Sequence, residues 1–143
     1  MMFSPGYMAW MAGQVLSAVT SIWQVSVPLL AILAAACVHF FLVRKKRLQR
    51  KFLLLFLPFL PMLLMLFLGA LLNYDLRDRS PGLYGIALPL VEGLAVVQLL
   101  MNIGLVIISK GFRWIAASAG LVEIWTGLWC SAVAGMSISG VWL

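Results

Sequence analysis

Two carboxylic acids, Glu92 and Glu123, stand in stretches that otherwise read as hydrocarbon. Glu92 lies in "LPLVEGLAVVQLLMNIGLVIIS", residues 88–109, together with Gln98 and Asn102; Glu123 lies in "SAGLVEIWTGLWC", residues 118–130. Holding a carboxyl in a membrane interior costs on the order of 3 kcal/mol or more, so such a residue marks either chemistry or a compensated structural role. The chemistry would be proton exchange or cation binding. The structural role would be a neutral, hydrogen-bonded acid that fixes how helices pack. Both readings stand for each glutamate at this point.

The remaining reactive side chains point to less. Cys37 and Cys130 sit inside apolar segments without CxxC spacing, so neither disulfide nor metal chemistry is expected, and they resemble small core residues. His39 is the single histidine, whereas a haem held by two histidines within one chain needs a second. Asp75, Arg77, Asp78 and Arg79 alternate in sign along "YDLRDRSPG" (74–82), the pattern of a solvated turn rather than a catalytic acid pair. The chain has no Ser/His/Asp set, HExxH or Gly-rich phosphate loop. The expectation is a non-enzymatic protein with no metal and no cofactor.

Composition says what must position the two acids. Of 143 residues, 64% are hydrophobic and 10% charged, too few charges to cover a soluble surface. The basic excess, a net charge of +6, falls in gaps between apolar runs, which reads as membrane orientation and not as nucleic-acid binding. Apolar runs near 20 residues match a bilayer core of about 30 Å at about 1.5 Å per helical residue. The sequence therefore predicts an all-α integral membrane protein. Four transmembrane helices, about 22–43, 52–73, 83–109 and 114–138, form an antiparallel bundle as one domain (22–143).

An N-terminal segment, 1–21, precedes the bundle. Trp10, Gln14, Ser17, Ser21 and Gln24 recur every three or four residues opposite Met11, Val15 and Ala18, as on an amphipathic helix at the interface. The other reading makes the segment an extension of the first transmembrane helix, kinked at Pro28. Pro58 and Pro61 in "LPFLPML" predict a bend in the second. The opening "MMFSPGYMAWMAGQ" lacks a basic n-region and is expected to remain attached.

Orientation follows from the gaps. "RKKRLQRK" places Arg44, Lys45, Lys46, Arg47, Arg50 and Lys51 in eight positions, and "KGFR" (110–113) adds two more basic residues. The positive-inside rule puts both loops in the cytoplasm and both termini outside, in a multi-pass protein of the cytoplasmic (inner) membrane. The first loop also suits anionic lipid head groups or an acidic partner.

At about 100° per residue, Glu92, Gln98, Asn102 and Ser109 share an arc of the third transmembrane helix, predicting an inward polar face. On the fourth, Ala116, Gly120, Gly127 and Ala134 form a small-residue seam for close packing, with Trp114, Leu121, Trp125 and Leu128 opposite, towards lipid or a partner. With the turn at 110–113, residues of the two helices lie level when their numbers add to about 223. Glu123 then falls between Gln98 and Asn102, and a hydrogen-bonded cluster of its carboxyl with those amides is expected. Glu92 falls beside Cys130 and Ser131, facing inward with no cation to pair with.

The functional expectation is a non-catalytic integral subunit or assembly factor of a larger membrane complex in transport, respiration or secretion, with other integral membrane subunits as partners. The alternative is a small homo-oligomeric proton-coupled transporter or channel that uses Glu92 and Glu123. A membrane-surface anchor acting through "RKKRLQRK" is a third reading.

Overall fold

The computed structural model describes residues 5–43, 53–72 and 81–141, all helices and short turns without a strand among them. The basic stretch Arg44–Lys51 and the acidic residues Asp75 and Asp78 lie outside the described residues. The helices are α1 (Pro5–Ser21), α2 (Trp23–Val43), α3 (Phe59–Leu71), α4 (Pro81–Ile108) and α5 (Arg113–Ser139), with a 3-10 turn, Leu53–Phe56, ahead of α3. Among the described residues three spans are long and apolar enough to cross a membrane: Leu54–Leu71, Gly85–Ile108 and Arg113–Ser139. A fourth exists if α1 and α2, which meet at 91°, count as one broken span.

That bend falls at Ile22 and not at the proline. Thr20 Oγ1 donates to Leu16 O at 2.8 Å, Ser21 Oγ to Ala18 O at 2.8 Å, and Ser26 Oγ to Val19 O. Ser21 and Ser26 thus supply donors to carbonyls of the last turn of α1, so the helix can stop there, while Thr20 back-bonds to a carbonyl one turn earlier. Backbone bonding restarts at once, with the amides of Val25 and Ser26 both donating to Ile22 O. α2 then runs unbroken through Pro28, so the straight extension kinked at Pro28 is not what forms. In the next span Pro58 is the residue at which the 3-10 turn gives way to α3, and Pro61 falls in the first turn of α3. Amides in a first turn have no intrahelical acceptor, so a proline there sacrifices no bond.

α5 is the hub and packs on α1, α2, α3, α4 and the 3-10 turn. Its small residues make this possible, because helices in lipid gain by close approach and not by expelling water. Ala134 of α5 lies against Gly69 of α3, where a Cβ on the glycine would come within 2.9 Å of the Ala134 backbone and 2.7 Å of Met11 Cε. Met11 is fully enclosed in this core with Met65, Val91 and Ile138. α1 therefore docks on the bundle through Met11 and Val15, while Gln14, Ser17, Ser21 and Trp10 stay exposed. Tyr7 completes the attachment, its hydroxyl 2.9 Å from Ser137 Oγ, which in turn donates to Gly69 O at 2.8 Å. A second core, Phe40, Leu55, Phe112, Ile115 and Ala116, closes the other end of the bundle.

Gly69→Ala should lower stability by about 1–3 kcal/mol through overpacking, since the Ala134 backbone cannot yield as the tip of Met11 can. Unfolding of the purified protein in mixed micelles measures it; an unchanged midpoint would contradict the contact.

Candidate functional site: two carboxyls on apolar helices

α4 and α5 are joined by a tight turn in which Phe112 N donates to Ser109 O at 3.1 Å and Gly111 adopts φ 132°, a left-handed backbone that suits glycine. The turn sets the register along the pair. Leu88 meets Gly135, Gln98 meets Gly127 and Asn102 meets Gly120, which keeps level residues at numbers adding to about 223.

Gln98, Asn102 and Glu123 are all buried at this α4–α5 contact, but they bond differently from the expected cluster. Gln98 Nε2 donates to the backbone carbonyl of Glu123 at 2.7 Å, and Asn102 Nδ2 donates to the carbonyl of Gln98 at 3.2 Å. The Gln98 amide lies flat on Gly127, where a Cβ would collide with it, and Asn102 Oδ1 is 3.2 Å from the Cβ position of Gly120. Both glycines of the seam thus make room for amides. Ala134 serves α3 instead and Ala116 joins the second core, so the stripe winds across three neighbours.

The Glu123 carboxyl accepts no hydrogen bond from the described residues, although the residue is only 4% exposed. The reason is angular. Gly120 and Gly127 both lie on one side of Glu123, at about 60° and 40° around the helix, so the face that meets α4 is centred beside the glutamate. Glu123 also borders a cavity of about 160 Å³ whose surface is wholly apolar. Leu33 and Cys37 of α2, Leu55 and Phe56 of the 3-10 turn, and Phe59 of α3 line that cavity.

Glu92 is placed outward, contrary to the inward expectation. It is exposed on α4, and no described residue donates to its carboxyl. The buried residues Ala87, Val91, Gln98, Asn102 and Ser109 centre the packed face about 100° away from Glu92 around the helix. Glu92 sat at the edge of the arc read from sequence, and the true centre of packing leaves it outside. It belongs to a different row: Gly85, Pro89, Glu92, Val96, Leu99 and Ile103, every one exposed and spaced alternately by four and three.

Trp125 also differs from expectation. Its Nε1 donates to Ser26 Oγ at 3.1 Å, so it ties α5 to the start of α2 rather than facing lipid. Trp114 (87% exposed), Leu121 and Leu128 do face outward. Of the two cysteines, Cys130 is buried in the main core and Cys37 is half-buried at the Glu123 cavity. Sequence reasoning placed Ser137 on the small-residue stripe of α5 but missed Ser26, Tyr7 and Gly69; residues 7 and 137 come together only through the α1–α2 bend, which no local pattern announces.

The fold and these sites define a helical protein with several segments apolar enough to span a membrane. Compared with known protein families, curated proteins and solved structures, the chain finds no match.

Gly127→Ala should cost about 1–3 kcal/mol by forcing Gln98 off the Glu123 carbonyl, and should cost far less in a Gln98→Ala background. A double-mutant cycle on unfolding midpoints checks this, and additive effects would contradict the seating of the amide on Gly127.

Proposed function

We propose that the protein is a non-catalytic integral subunit or assembly factor of a larger membrane complex, with the Glu92 row of α4 covered by a transmembrane helix of another subunit. The carrying observation is Glu92 itself, a carboxyl on an exposed face of an apolar helix with no donor among the described residues. Left against lipid it would be costly, and a neighbour that supplies a donor removes that cost. Its setting supports the reading. The four-three spacing of the exposed row is that of a helix–helix seam, and open space lies at the Cβ positions of Gly85 and Gly93, where a second backbone can approach closely.

The matching chemistry is a helix that presents a basic, amide or hydroxyl side chain level with Glu92. A second copy of this chain fits less well, because it brings another carboxyl to the same place. In this reading the chain spans the cytoplasmic membrane four times, with the α1–α2 elbow as one broken span. The basic loop 44–51 faces the cytoplasm and anionic lipid, and both termini face outside. The proton-coupled alternative draws less support: Glu123 is buried within the bundle, whereas Glu92 lies on the exposed face of α4.

A photo-activated cross-linker placed singly at Val96, Leu99 or Ile103 in native membranes should give one discrete adduct with an unrelated membrane protein. The same probe at Leu90 or Val97, exposed on another side of α4, should not. Glu92→Leu should abolish the adduct. Adducts independent of position, or a self-adduct that persists in Glu92→Leu, would overturn the proposal.

A further inference from the structure

A groove between α4 and α5 opens beside the Glu92 row. Val96 and Leu99 form its lip on α4, Ile124 and Leu128 its lip on α5, with Gln98 and Gly127 between them, around a cavity of about 200 Å³. Val96, Leu99 and Leu128 are exposed, so the groove faces outward from the bundle. Leu99 and Ile124 stand level with each other across it, in the register that the tight turn sets. Seven residues make close to two helical turns, with a net drift of only about 20°. Glu92 stands seven residues from Leu99, and Ser131 seven from Ile124. Both therefore flank the same groove, level with each other and about 10 Å further along it.

Both polar groups are unmet there. Glu92 receives no hydrogen bond from a described residue. Ser118 and Thr126, hydroxyl residues of the same helix as Ser131, donate back to the carbonyls of Trp114 and Val122 at 2.7 and 2.8 Å. Ser131 makes no such bond and meets no partner among the described residues. Glu92 lies seven residues, about 10 Å, inside the span Gly85–Ile108, so the pair is set within the apolar length of the helix and not at its end. A neighbouring hydroxyl or amide donates to a carboxylate but leaves its charge uncompensated in lipid. An ammonium or guanidinium donates to carboxylate and hydroxyl together and cancels the charge. No lysine or arginine occurs within 23–43, 54–71, 85–108 or 114–139. A cation at this depth therefore comes from another protein and not from a second copy of this chain.

The geometry points to the α4–α5 groove as the seat of the partner helix, with a lysine or arginine of that helix held between the Glu92 carboxylate and the Ser131 hydroxyl. An apolar side chain about two turns away on the partner fills the cavity beside Gly127. Size agrees: a dry cavity of about 150 Å³ holds one benzene, so one of about 200 Å³ accepts a leucine or phenylalanine side chain. This seat rests on the subunit reading above, which it makes specific in chemistry and in place.

A photo-activated cross-linker at Leu128, on the α5 lip, should capture in native membranes the same protein as the probe at Val96, and a probe at Leu63, equally exposed on α3, should not. The partner fragment attached through Leu128 should carry a lysine or arginine inside an apolar run. Glu92→Gln keeps hydrogen-bonding capacity and removes the charge. It should lower the adduct yield at both positions about tenfold or more, since the partner's cation is then left alone in the apolar span. Glu92→Asp, which keeps the charge, should lose far less, and Ser131→Ala should lower the yield severalfold. An adduct at Val96 with none at Leu128 would keep a partner on α4 and overturn the groove as its seat. Undiminished yield in Glu92→Gln would overturn the basic side chain while leaving the subunit reading intact. A Leu128 adduct with lipid alone or with this chain itself would also overturn the seat. Absence of an adduct at Val96 and Leu128 alike would dispose of the subunit reading and the seat together.

Discussion

The Gln98 amide, laid on Gly127 and bonded to the Glu123 carbonyl, is the contact on which the rest of the bundle depends. In lipid there is no water to accept an unmet polar group and little hydrophobic gain in bringing helices together. Association must come from close packing and from polar groups satisfied inside the protein. Gln98 does both at once, since its amide fits only because residue 127 has no side chain, and its bond fixes the rotation of α4 against α5. Asn102 over Gly120 repeats the device one turn away, and Ala134 against Gly69 extends it to α3. With α5 so fixed, α2 is held by Trp125 on Ser26 and α1 by Tyr7 on Ser137.

The same rotation decides the fate of the two acids. Turning Gln98 and Asn102 towards α5 leaves Glu92 about 100° off the packed face. Turning Gly120 and Gly127 towards α4 leaves Glu123 beside the contact, where its backbone carbonyl and not its carboxyl meets the Gln98 amide. One carboxyl is thus presented outward and the other stays inside the bundle. Neither carboxyl meets a donor among the described residues, and the exposed one carries the functional reading.

Element boundaries were legible because apolar length and loop composition change abruptly at the ends of helices: the run read as 83–109 forms as Pro81–Ile108, and 114–138 as Arg113–Ser139. Register was legible too, because a tight turn leaves antiparallel helices one way to align. The facing of individual side chains was not. An arc of about 120° contains both the centre of a packed face and its edge, and only tertiary packing separates Gln98 from Glu92. The elbow at Ile22 escaped for a related reason. Proline is the obvious breaker, yet α1 ends before Pro28 is reached, with the hydroxyls of Ser21 and Ser26 on carbonyls of its last turn. Once the elbow forms, Ser26 comes within reach of Trp125, and a tryptophan that reads as lipid-facing becomes an internal tie.

The most direct test of the account is the native mass of the assembly extracted from its own membrane in a mild detergent. The account predicts this chain in fixed stoichiometry with at least one unrelated membrane-spanning subunit, and loss of that subunit from the Glu92→Leu protein. A homogeneous particle made of this chain alone, with a mass indifferent to Glu92→Leu, would contradict it.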